Sequence, residues 1–175
     1  MKQKLLRPIG RVTAVLIWLV GSTSYLVADD LKVALAAEPT SMDPHYQNLT
    51  INNSFATQIY NALVLQDVNQ NLIPGLATSW KPVDDRTWEF ALRKNVKFHN
   101  GAAFTAEDVI ASMERAANVP NSPSSFATFT KGKQFEMVDD FTIRVSTEKP
   151  YPFTPNDMSR ICLLYTSPSP RDLDL

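Results

Sequence analysis

Residues Leu72–Val109 read LIPGLATSWKPVDDRTWEFALRKNVKFHNGAAFTAEDV. Pro74-Gly75 marks a turn, and Asp84-Asp85 marks a second. After it Trp88, Phe90 and Leu92 alternate with Thr87, Glu89 and Ala91, the period of a half-buried strand. Val96 and Phe98 repeat that alternation, and Asn100-Gly101 is a tight-turn dipeptide. Thr105 has the chemistry of a helix N-cap, with Asp108 three residues on as its capping-box partner. Phe104 and Val109 stand where a hydrophobic staple places its two residues.

Downstream, Val109, Ile110, Met113, Ala116 and Ala117 give the helix one apolar face, and Asn118 and Pro120 stop it. Glu107, Asp108 and Glu114 favour its first half and Arg115 its end, as the helix dipole prefers. Asn121–Thr130 is a Ser/Thr/Pro loop bearing Phe126 and Phe129. Phe135 and Met137, then Phe141, Ile143 and Val145, predict a β-hairpin around Asp139-Asp140. Upstream, Phe55, Ile59, Ala62 and Leu63 predict an amphipathic helix over about 53–65, followed by the polar turn Asn69-Gln70-Asn71. Leu31, Val33 and Leu35 alternate as a first strand. The segment Glu38–Pro44 carries Pro39 and Pro44, which exclude regular helix or central strand. It reads as a fixed extended loop at a strand end, a common place for ligand contacts.

PGLATSW, the acidic turn, TWEFALRKNVKFHNG and FTAEDV, spaced and in this order, resemble the extracytoplasmic solute-binding proteins of peptide importers. This is the dipeptide/oligopeptide-binding family of ABC transporters, solute-binding family 5. The resemblance runs from about Leu31 to about Asn156. It implies an α/β fold with mixed sheets in the periplasmic binding protein architecture (type II). Residues 29–161 are then the start of the first lobe plus most of a small additional α/β domain. AAEPTSMDP resembles the loop whose backbone pairs with an extended ligand in that family, which implies ligand contacts at Pro39, Thr40, Ser41 and Met42. Read from the residues alone, the segment is more readily a structural loop whose Asp43-Pro44 merely starts a turn. An aromatic from the region of Phe126 and Phe129 approaches the ligand in the family; the alternative is that both cover the core edge. Family chains run a few hundred residues further, and ligand is buried between two lobes. The resemblance therefore implies a peptide or similar solute and membrane permease subunits as partners, a monomer, and little autonomous binding by residues 29–161. Proteins of the same fold also take nickel chelates, opines, sugars or glutathione.

The totals agree with a moderate globular domain: 175 residues, 44% hydrophobic and 20% charged. Net charge is −1, and Lys2, Lys4, Arg7 and Arg11 are the only charges in residues 1–28. No basic stripe interleaved with aromatics points to nucleic acid. The basic start, the apolar run Val12–Val20 and the small residues up to Ala28 read as a secretory signal peptide, residues 1–28, and hence a periplasmic protein. No Cys follows that run, so no lipid attachment is expected. Ile161 should approach another helix, but CLLYTSPSPRD, Cys162–Asp172, resembles a translated sequencing adapter; residues 162–175 are expected to be a non-native tail.

No catalytic constellation is present. His45 and His99 lack partners at metal-ligand spacing, and no GxSxG, P-loop or GxGxxG occurs. Asp84-Asp85 and Asp139-Asp140 are turn acids. No enzyme, cofactor or metal is expected. A secreted hydrolase or a sensor module with its functional residues elsewhere is the alternative from another class.

Overall fold

The strand read at Thr87–Leu92 is an inner strand of the larger sheet. In a computed structural model describing residues 32–164, it is the fourth strand, β4. The other elements are α1 Thr50–Ala56, β1 Val64–Gln66, β2 Leu72–Pro74, β3 Ala77–Pro82, α2 Ala106–Ala117, α3 Ala127–Thr130, β5 Lys133–Asp139, β6 Thr142–Thr147 and α4 Thr154–Asp157. One sheet has the order β3-β4-β6-β5, and β1 with β2 forms a separate pair. Both sheets are antiparallel, where the sequence reading expects mixed sheets. The reason is local: β1–β2, β3–β4 and β5–β6 are joined by turns too short for a parallel crossover.

Register explains the amphipathic pattern. Phe90 stands opposite Trp80 on one side and Ile143 on the other, and Trp88 stands opposite Val145. Phe90, Leu92, Ile143 and Val145 are buried with Val109, Met113 and Ala116 of α2. Full burial of one such side chain contributes about 1.5–3 kcal/mol. On the opposite face Lys81, Glu89, Arg144 and Glu136 fall in one row across the four strands. Glu89 takes both Lys81, at 3.1 Å, and Arg144, at 2.9 Å.

Helix α2 starts as its sequence predicts. The Thr105 N–H donates to Asp108 Oδ2 at 2.8 Å, and the capping box is closed. Phe104 and Val109, the staple pair, are both buried. The hairpin at Asp139-Asp140 forms, with the Asp139 side chain accepting the Phe141 N–H at 2.8 Å. Gly75 is needed for close approach: a Cβ there would lie 2.6 Å from the Ala62 carbonyl oxygen.

Four expectations change. Leu31 lies outside the described residues, and residues 32–35 form no strand. A strand persists only in a ladder, and no described strand pairs with it. The first helix ends at Ala56 instead of near 65. Ala62, Leu63 and Val64 are buried in succession and lead into β1, so this is a short buried run that became a strand. The following turn is locked by Asp67, whose Oδ1 accepts the N–H groups of Asn69 and Asn71, each at 2.8 Å. Val96 and Phe98 make no strand: the segment is a loop closed by the Lys97–Ala103 bridge and the turn at Gly101. Both side chains still pack on the core. Ile161 opens no helix; it is buried after α4, and Leu163, also buried, donates its N–H to the Asn61 carbonyl.

Candidate functional site

The loop Pro39–Leu49 is shaped by short polar side chains. Thr40 donates its N–H to Asn52 Oδ1 at 3.1 Å, and Asn52 Nδ2 returns a bond to Thr40 Oγ1 at 3.0 Å. Asn52 is buried on α1, one turn before the buried Ala56, so the helix presents it to the loop. Ser41 Oγ accepts the Asp43 N–H at 3.0 Å. Asp43 Oδ1 in turn accepts the His45 N–H at 2.9 Å, which forms the turn read at Asp43-Pro44.

Arg115, near the end of α2, reaches across and bonds both Asp43 oxygens, at 3.0 and 2.6 Å. Burial works to raise the Asp43 carboxyl. The Arg115 hydrogen bond, then the His45 N–H, outweigh it and hold the group below its ordinary value. His45 is fully buried, and its Nε2 donates to the Cys162 carbonyl at 2.6 Å. Burial lowers the His45 pKa, against the Cys162 hydrogen bond and aided by Arg115.

The other side of the loop is zipped to residues 122–124. Ser122 Oγ donates to the Tyr46 carbonyl at 2.6 Å, and the Asn48 N–H donates to the Ser124 carbonyl at 2.9 Å. This brings Phe126 beside the loop, its ring 6.3 Å from that of His45 and 6.2 Å from that of Phe129.

The two groups of residues singled out from the sequence therefore lie on adjoining segments. Met42 is 64% exposed, Thr40 is exposed, and Pro39 and Ser41 are half-buried. Phe126 is 2% exposed and belongs to the core; what remains of its surface lines, with Pro44, Tyr60 and Arg160, a pocket of about 460 Å³. Phe129 packs partly buried against the same core. Sequence reading misses Asn52, and it takes Arg115 for a dipole residue and His45 for an isolated histidine. The one available signal was the spacing of Asn52 and Ala56, which puts a polar side chain on an inward helix face. Among the described residues no group of His, Cys, Asp and Glu could hold a metal ion, and no helix is long and apolar enough to cross a membrane.

Residues 71–172 match the bacterial extracellular solute-binding proteins, family 5 (middle region). The glutathione-binding protein GsiB of Pectobacterium atrosepticum is 30% identical over 161 residues, 87% of this chain and 31% of its own length. The periplasmic oligopeptide-binding protein OppA of Escherichia coli is 27% identical, over 67% of this chain and 25% of its own. Among solved structures, Haemophilus influenzae OppA in complex with the peptide RPPGFSPFR superposes with a TM-score of 0.67 at 28% identity.

 
The Haemophilus superposition covers 74% of this chain and 29% of that one. The murein tripeptide-binding protein MppA of Escherichia coli, also at a TM-score of 0.67 and 28% identity, covers 73% and 29%. The chain thus spans a quarter to a third of the length of these relatives. The fold is α/β, part of the type II periplasmic binding protein architecture, and the chain belongs to the bacterial extracellular solute-binding proteins, family 5.

Proposed function

We propose that this chain serves the solute-binding component of an ABC importer, capturing di- and oligopeptides outside the cytoplasmic membrane and delivering them to a permease. The observation that carries this reading is the family match over residues 71–172. The ordered loop Pro39–Met42 supports it by offering an exposed Met42 and a backbone fixed from behind by Asn52 and Asp43. A peptide lying along such a segment gains main-chain hydrogen bonds whatever its side chains, which gives breadth of ligand. On this reading residues 1–28 are a secretory leader, the mature protein is a periplasmic monomer, and it performs no catalysis. Pro39, Thr40, Ser41 and Met42 contribute this chain's part of the ligand contact; Phe126 and Phe129 sit in and against the core, and Phe126 reaches a ligand only through the surface it keeps on the pocket beside Pro44.

Glutathione is the second reading, favoured by the 30% identity to a glutathione-binding protein. Glutathione is itself a short peptide, so the same loop chemistry applies. Calorimetric titration of the chain, and of a chimaera carrying residues 29–161 in place of the matching segment of Escherichia coli OppA, with dipeptides, a nonapeptide and glutathione tests both. Heat with peptides supports the first reading, and heat with glutathione alone supports the second. A chimaera that folds and binds neither removes both.

A further inference from the structure

We infer that His45 holds the Pro39–Met42 loop in place only as the neutral imidazole, so that the seating of this loop depends on pH; its bearing on solute capture rests on the function proposed above. The residue stands in the turn that ends the loop, with its N–H on Asp43 Oδ1 at 2.9 Å. Its ring is anchored to a segment 117 residues further along the chain, Nε2 lying 2.6 Å from the Cys162 carbonyl oxygen. A carbonyl only accepts, so Nε2 carries the hydrogen and Nδ1 keeps its lone pair. Nδ1 is buried with no hydrogen-bond partner. A second proton must arrive there, placing a donor and a full charge where no acceptor stands.

The groups around the ring do not relieve this. Arg115 repels a second cation, and the Asp43 carboxylate that would attract one already has both oxygens on Arg115. The Cys162 thiol is pushed up to about 11 by burial and stays neutral. Phe126 offers an apolar ring. A charged His45 ring therefore gains by leaving its seat for water, which breaks the Cys162 tie and frees the turn holding Asp43. Because burial lowers the ring's pKa below 6.5, the tie is complete above pH 6.5 and is lost as pH falls through the folded value. The depressed carboxylates, Asp43, Asp67, Asp84 and Glu89, lose their contributions only below 3.8 or 4.5, in a separate window.

Hydrogen–deuterium exchange of the whole chain between pH 7 and pH 5, corrected for intrinsic exchange, tests it. Protection over residues 39–49 should fall by about tenfold for each pH unit between the free imidazole's 6.5 and the lower folded pKa of the ring, while β4 and β6 stay protected. His45→Gln, which keeps a donor for the Cys162 carbonyl but cannot titrate, should flatten that profile. His99→Gln should leave it unchanged. Should His45→Gln not fold, the ring of the wild-type chain is titrated by NMR, and it should protonate below 6.5 together with the loss of protection. A profile unchanged in His45→Gln, or a ring that titrates while residues 39–49 stay protected, overturns the inference. A loop that responds through His45 in a chain binding neither peptide nor glutathione upholds the inference and counts against the proposed function.

Discussion

Strand β4 and the loop Pro39–Leu49 belong to the same described structure but are held by different chemistry. β4 places Phe90 and Leu92 in a core closed by Ile143, Val145 and α2, and each of these side chains is buried by many others. The loop is held by single directional bonds from Asn52, Arg115, Ser122 and Ser124. Apolar burial is non-directional, so its loss is felt through the whole cooperative unit. A lost directional bond is felt first where it was made. The contrast teaches that stability and solute-loop geometry are set by separate residues, and it can be broken by substitution.

The largest effect should come from Phe90→Ala. Removing a fully buried ring from the middle of the sheet should cost about 3–5 kcal/mol in denaturant unfolding, since Phe90 is in register with both Trp80 and Ile143. Exchange protection should fall in all the strands together. Protection lost in β4 alone would mean that the sheet is not one cooperative unit. Lys133→Ala comes next and sharpens the contrast, because it removes a polar tie from the sheet side. The Lys133 side chain is 5% exposed, with Nζ 2.6 Å from Asp157 and 4.7 Å from the centre of the Tyr151 ring. Its loss leaves a largely buried carboxylate uncompensated, at about 3 kcal/mol. A fall of less than about 1 kcal/mol in the unfolding free energy would show that water reaches Asp157.

Asn52→Ala should act on the loop alone. It removes the acceptor of the exposed Thr40 N–H, a net loss of about 0.5–1.5 kcal/mol, visible as faster exchange at Thr40 with β4 unchanged. Equal losses in the loop and in β4 would erase the distinction between the two regions.

The same division governs what the sequence reveals. Thr87–Leu92 is legible because a two-residue period is enough to define a strand with one buried face. The capping box at Thr105 and Asp108 and the hairpin at Asp139-Asp140 are legible because their bonds span two or three residues. Val96 and Phe98 show the same alternation, yet their backbone bonds close a loop, the Phe98 N–H on the Ala102 carbonyl and the Phe104 N–H on the Val96 carbonyl, and no described strand pairs with them. The helix at Phe55 stops early because the apolar run Ala62–Val64 is claimed by backbone partners outside the segment, Ala62 and Leu63 by the N–H groups of Leu76 and Ala77 and Val64 by its pairing with Pro74 of β2. The loop is the extreme case: Arg115 meets Asp43 across 72 residues and His45 meets Cys162 across 117. No local pattern encodes such pairs, so the candidate loop could be located from its prolines while the residues that fix it could not.

Glu89→Gln should give the smallest effect and mark the lower bound of the contrast. Glu89 stands in the polar row of the sheet, and hydrogen bonds from Lys81 and then Arg144 hold its carboxyl below the ordinary 4.5, against the opposing effect of burial. A depressed carboxylate contributes stability that is present above its unfolded value and is lost as pH falls through the folded one. Wild type and Glu89→Gln should therefore differ slightly in melting temperature at pH 7 and converge as pH falls toward 3. In about 1 M salt, where the screening length is about 3 Å, the difference should also shrink, because the row faces solvent through Lys81 and Arg144. A difference that persists under both conditions would mean that Glu89 acts by packing against its cross-strand neighbours instead of through its charge, and the outer face of the sheet would then be held by the same non-directional chemistry as its core.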